Sequence, residues 1–127
     1  ILILEDNPYG LLWFDRPAPA AMRSVEDDGI VYLGSFSKTL APGFRVGWAL
    51  APHGIREKLV LAAEAAILSP SSLNQMVITD YLARADWQGQ IDVFRGLYRE
   101  RRDAMLEALA QHLHALQWTD ANAGFYV

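Results

Sequence analysis

The chain has 127 residues, 52% of them hydrophobic, which is the length of one ordinary domain with enough apolar material for a core. Its 11 basic and 15 acidic residues leave a net charge of -4, with no like-charge block and no basic stripe, so this segment is not expected to bind nucleic acid. Cysteine is absent, which excludes disulfides and thiolate metal sites, and His53, His112 and His114 lack zinc-ligand spacing, so no metal is expected.

No apolar run approaches the roughly 18 residues that span a bilayer, and no signal peptide opens the chain, which predicts a cytoplasmic protein with no membrane partner. The chain opens with "ILIL", already strand-like, and closes on "AGFYV", which reads as another strand beginning. These ends predict a piece of something longer.

Ile1 to Leu4 lack polar alternation and suit a parallel strand covered on both faces, although four such residues also fit a buried helix. Asp6, Asn7, Pro8 and Gly10 stop it. Residues 15–29 hold Pro17, Pro19, an acidic run and Gly29, and read as a surface connection. The second strand is Ile30 to Leu33, and the third begins at Arg45 in "RVGWAL". The link between them is shorter than the dozen or more residues of a parallel crossover, so these two strands should run antiparallel.

From Pro52, "GIREKLVLAAEAAIL" carries aliphatics in helical register, Ser69-Pro70-Ser71 breaks it, and "SLNQMVITDYLARA" resumes it. From Gln90 to Leu113 a long amphipathic helix places Ile91, Phe94, Tyr98, Met105, Leu109 and Leu113 on one side. Arg95, Arg99, Glu100, Arg102, Asp103 and Glu107 remain for solvent. His53 reads as a solvent-exposed helix start, and Trp13, Trp48, Trp87 and Trp118 as core or surface fillers.

In open α/β sheets, ligands collect beyond the carboxyl ends of parallel strands. Asp6 and Tyr9 follow one such end; Ser35, Ser37 and Lys38 follow another, with Arg45 where the chain returns. Each is an ordinary loop residue by itself, but together they supply what pyridoxal phosphate needs. Its aldehyde takes a lysine amine as a Schiff base, here Lys38, and its pyridine nitrogen takes an anionic carboxylate, here Asp6. Tyr9 can hydrogen-bond the 3-oxygen, while Ser35, Ser37 and Arg45 can hold the phosphate.

The stretches "EDNPYG", "YLGSFSKTLAPGFRVGW" and "YRERRDAMLEAL" resemble the fold-type I pyridoxal-phosphate-dependent aminotransferases of class I/II. The similarity is to the branch that contains 2-aminoadipate, kynurenine and aromatic aminotransferases, and it runs over essentially the whole chain. It implies an α/β fold, part of the aspartate aminotransferase-like large domain with the start of the small C-terminal domain. It further implies that residues 1–88 are the C-terminal part of the large domain, 89–114 a connecting helix and 115–127 the opening of the small domain. The catalytic residues implied are Lys38, Asp6 and Tyr9; the cofactor contacts are Asp6, Tyr9, Ser35, Ser37, Lys38 and Arg45. A homodimer acting on amino acid and 2-oxo acid substrates follows from the same resemblance. Ala123-Gly124 stands where the family often has two glycines.

Rival motifs fail on their remaining elements. Ser35-Phe36-Ser37-Lys38 fits the S-x-x-K of penicillin-binding proteins, but K-T-G and S-D-N are missing. A Walker A loop needs Gly where Ser37 and Tyr32 stand. The alternative that keeps the cofactor is the aminotransferase-like effector domain of MocR-type transcription regulators; "DNPYG" favours the catalytic branch.

Overall fold

Ile3–Asp6 forms β1, Ile30–Ser35 forms β2 and Gly47–Leu50 forms β3 in the computed structural model, which describes residues 1–126. The three strands make one sheet in the order β1-β2-β3, with β1 parallel and β3 antiparallel to the central β2. The antiparallel return is the one that the short link between β2 and β3 requires. β3 starts at Gly47 rather than at Arg45, because Arg45 sits in the left-handed region with φ 52° and cannot join the ladder there.

Register decides which side chains share a face. Asp6 pairs with Leu33 and Leu33 with Ala49, so Leu4, Asp6, Val31, Leu33 and Ser35 project to one face. Ile3, Glu5, Ile30, Tyr32, Gly34 and Trp48 project to the other. Glu5, a charge at the end of an aliphatic run, accepts from the backbone N–H groups of Met22 and Arg23 at 3.1 and 3.3 Å. It thereby anchors a single 3-10 turn, Met22–Ser24, within the connection. Arg23 in turn donates to the carbonyls of Asp27, at 2.6 Å, and Ile30.

β1 is not covered on both faces as its composition suggests: Leu4 is 64% exposed, and Ile1, Leu2 and Ile3 also meet solvent. It is an edge strand of the described sheet, so its aliphatic run is a demand for cover that the described residues do not supply.

Contacts divide the chain into two units, one of Ile1–Pro8 with Pro19–Ala85, the other of Tyr9–Ala18 with the residues from Asp86 onward. The first unit holds the sheet and two helices, α1 (His53–Ile67) and α2 (Ser72–Arg84), and buries Ile30, Val31 and Ile78. His53 opens α1 in solvent, 3.3 Å from Glu57. α1 ends in a three-residue turn at Leu68 (φ 61°), where the Ser69 N–H donates to the Ile67 carbonyl at 2.7 Å. Pro70 then forbids continuation, and Ser71 caps α2 by accepting from the Asn74 N–H at 3.3 Å, a contact worth about 1 kcal/mol in helices generally.

In the second unit α3 spans Trp87–His112, capped by Asp86, whose Oδ1 accepts from the Gly89 N–H at 3.0 Å. Leu12, Phe14 and Ile91 are its buried side chains. Trp13 and Ala123 form an isolated antiparallel bridge, flanked by Phe14 N–H to the Asn122 carbonyl (2.8 Å) and Gly124 N–H to the Leu12 carbonyl (3.1 Å). The strand expected in "AGFYV" is therefore only this bridge through Tyr126, and Val127 lies outside the described residues.

Three arginines of α3, Arg95, Arg99 and Arg102, do more than face water: each donates to a backbone carbonyl outside the helix. Arg95 donates from Nε to the Leu11 carbonyl at 2.8 Å and lies 4.0 Å over the Trp13 ring. Arg99 donates to the Phe14 carbonyl, and Arg102 to the Ala121 carbonyl at 2.9 Å. The Arg102 side chain is only 11% exposed. Residues 9–18 form no regular ladder, so their carbonyls need donors, and long guanidinium side chains supply them while their stems lie on apolar surface. Glu100, Asp103 and Glu107 do face solvent, as the helical pattern predicts. No helix among the described residues is long and apolar enough to cross a membrane.

Candidate active site

Because β1 and β2 are parallel, their carboxyl ends lie at the same edge of the sheet, and because β3 is antiparallel its amino end lies there too. Asp6 is the last residue of β1 and Ser35 the last of β2, on a shared face; Lys38 follows β2 by three residues and Arg45 precedes β3 by two. Pairing continues past both ends, through Asn7 N–H to the Leu33 carbonyl and Phe36 N–H to the Val46 carbonyl, each 3.1 Å. Thus the first unit gathers Asp6, Ser35, Ser37, Lys38 and Arg45 at one end of its sheet.

The loop between β2 and β3 has an order of its own. Leu40 and Ala41 both donate to the Phe36 carbonyl, at 2.9 and 3.1 Å, which closes one turn around Ser37, Lys38 and Thr39. The Ser35 hydroxyl oxygen accepts from the Ser37 N–H at 3.0 Å, so its own O–H is the part available to donate to an anion. A second turn, the 3-10 segment Pro42–Phe44, ends in Arg45 with φ 52° and ψ 39°. For a residue with a Cβ this conformation costs about 1–2 kcal/mol, so the surroundings must enforce it. The Arg45 N–H donates to the Pro42 carbonyl at 3.3 Å, and the Asn74 side chain of α2 donates to the Phe44 carbonyl at 2.9 Å.

On the opposite face of the sheet Trp48 stacks on Tyr32, with ring centroids 5.4 Å apart. Gly34 makes the room: a Cβ there would stand 2.3 Å from Trp48 Cζ2.

Tyr9 belongs to the second unit. Its ring meets Phe125 edge-on at 5.2 Å and Tyr126 at 6.3 Å, and a Cβ built on Gly124 would lie 3.5 Å from its Cγ. Gly124 has φ 84°, so the second position of the Ala123-Gly124 pair is the one whose backbone calls for glycine. Nothing in the sequence marks Asn74 or Gly34: the hydrogen bond from Asn74 to the Phe44 carbonyl and the Trp48 ring packed against Gly34 exist only in three dimensions.

The groups at the sheet end fit pyridoxal phosphate by their chemistry: an amine, a carboxylate, hydroxyls and a guanidinium converge on one edge. Among the described residues no three His, Cys, Asp or Glu side chains gather to hold a metal.

Strands, site edge and flanking helices together define an α/β protein of the aspartate aminotransferase-like type. The chain belongs to the aminotransferase class I and II family, whose model matches residues 1–127. It is 37% identical to aromatic-amino-acid aminotransferase 1 of Thermococcus litoralis, over 99% of this chain and 31% of that protein. It is 32% identical to the HTH-type transcriptional regulator YisV of Bacillus subtilis, over 98% of this chain and 26% of the regulator. Its backbone matches LysN, the alpha-aminoadipate aminotransferase of Thermus thermophilus solved with N-(5'-phosphopyridoxyl)-L-leucine, with a TM-score of 0.89 and 33% identity, covering 98% of this chain and 33% of LysN. The chain thus spans about a third or less of the length of these proteins.

Proposed function

We propose that this chain is the cofactor-binding middle of a pyridoxal-phosphate-dependent aminotransferase, which exchanges amino groups between amino acids and 2-oxo acids. The observation that carries the reading is the convergence of Asp6, Ser35, Ser37, Lys38 and Arg45 on one end of the sheet. Residues 1–88 then close the large domain, 89–114 form the connecting helix and 115–127 open the small domain. The whole protein would work as a cytoplasmic homodimer.

When bound, the cofactor supplies an electron sink for the pair released at the substrate α-carbon. The rest is the work of this chain's side chains. Asp6 keeps the pyridine nitrogen protonated through its carboxylate, and Tyr9 donates its phenol proton to the 3-oxygen. Ser35, Ser37 and Arg45 hold the phosphate, with the guanidinium able to grip two oxygens at once. Lys38 Nζ would hold the cofactor at its aldehyde carbon and, when its amine is free, would carry a proton between the substrate α-carbon and that carbon.

Two variants of the whole protein test this reading. Lys38→Ala should abolish turnover, and Asp6→Ala should lose most of it while some cofactor stays bound. Undiminished turnover in either contradicts the assignment.

The similarity to YisV supports a second reading, an effector domain that binds the same cofactor within a DNA-binding regulator. Specific promoter binding by the whole protein, with no amino-group transfer to any 2-oxo acid, would select it.

A further inference from the structure

Arg45 stands in a left-handed conformation with no glycine to make it easy, and both polar atoms of the peptide that precedes it are held. Its N–H donates inward to the Pro42 carbonyl at 3.3 Å, within the 3-10 turn. The carbonyl on the other side of the same peptide, that of Phe44, accepts from Asn74 Nδ2 at 2.9 Å, across 30 residues of chain. A peptide gripped at both ends cannot flip, and a flip there is the movement by which Arg45 would relax to ordinary φ.

Asn74 is itself fixed. It lies in the first turn of α2, half-buried, and its backbone N–H is the group that the Ser71 hydroxyl caps. The side chain therefore plays no part in capping, and its amide is committed to the β2–β3 loop.

We propose that Asn74 is a positioning residue for Arg45: by locking the Phe44–Arg45 peptide it presents the guanidinium to the cofactor's phosphate. The inference rests on the reading of Arg45 as a phosphate-holding group. It locates in α2, outside the loop itself, one determinant of affinity for the phosphorylated cofactor.

The discriminating quantity is the ratio of affinities for pyridoxal phosphate and for pyridoxal, which lacks the phosphate, measured on the whole protein by equilibrium titration. Asn74→Ala removes the donor, and Asn74→Asp replaces it with an acceptor of the same shape; neither touches the Ser71 cap. Each should lower the ratio about ten-fold, the effect of one lost hydrogen bond, with affinity for pyridoxal unchanged. Arg45→Ala should lower it further, and the double variant Asn74→Ala with Arg45→Ala should equal Arg45→Ala alone. If Arg45→Ala lowers the ratio and both Asn74 variants leave it unchanged, or weaken both ligands equally, the positioning role is wrong and the phosphate reading survives. If Arg45→Ala itself leaves the ratio unchanged, the phosphate reading fails and the inference with it.

Discussion

Arg102 reaches from α3 to the Asp15 carboxylate in a two-point contact, Nη1 to Oδ2 at 2.5 Å and Nη2 to Oδ1 at 3.3 Å. The pair closes a clasp that Asn122 completes. Asn122 Oδ1 accepts from the N–H groups of Asp15 and Arg16 at 3.2 and 3.3 Å, and its Nδ2 donates to the Arg16 carbonyl at 2.9 Å. An irregular segment is thereby held to a helix and to the chain that follows it without any sheet.

This clasp has a pH signature. The hydrogen bond from Arg102, aided by the charges of Arg102 and Arg99, holds the Asp15 carboxyl below its ordinary value of 3.8 against a weaker opposing effect of burial. The folded value lies below the unfolded one, so the stabilisation is complete above about 3.8 and is lost as pH falls through the folded value. Asp15→Asn should be less stable than the parent at neutral pH, and the gap should narrow as the pH falls below that value. Parallel stability curves through this window would show that the pair contributes nothing.

Gly34→Ala should disturb Trp48. A methyl there meets the indole at 2.3 Å, and because Trp48 is 40% exposed the ring can swing outward rather than break the sheet. A loss of about 1 kcal/mol in stability is expected, roughly the value of an aromatic pair, with a red shift of the Trp48 emission. An unchanged emission spectrum would contradict the packing at Gly34.

Two glycines of the second unit should respond with opposite sign. Gly96 lies within α3 with nothing within 4 Å of a Cβ, so Gly96→Ala should stabilise by about 0.5–1 kcal/mol. Gly124 has φ 84°, so Gly124→Ala should destabilise by about 1–2 kcal/mol even though the space beside Tyr9 admits a methyl. Denaturant midpoints of the two variants, compared with the parent, check both signs.

Much of this fold was legible in the sequence because its signals are local. Pro70 between two apolar helical registers marks the break from α1 to α2, and the short β2–β3 link fixes an antiparallel return. Candidate site residues were legible from the needs of a ligand, which reward chemistry at strand ends. What stayed hidden depends on partners distant in the chain. Periodicity assigns Arg95, Arg99 and Arg102 to solvent because it counts charge, not the unpaired carbonyls of Leu11, Phe14 and Ala121 that claim them. Arg45 reads as the first residue of a strand because nothing in its side chain announces a left-handed backbone. The exposed β1 shows the converse limit: composition reports that a strand needs cover, not which residues provide it.

The most direct test of the account is covalent. The whole protein, incubated with pyridoxal phosphate, reduced with borohydride and digested, should carry the pyridoxyl label on the peptide containing Lys38, with Lys58, the other lysine of this chain, unlabelled. Label on Lys58, or on any lysine but Lys38, would contradict it.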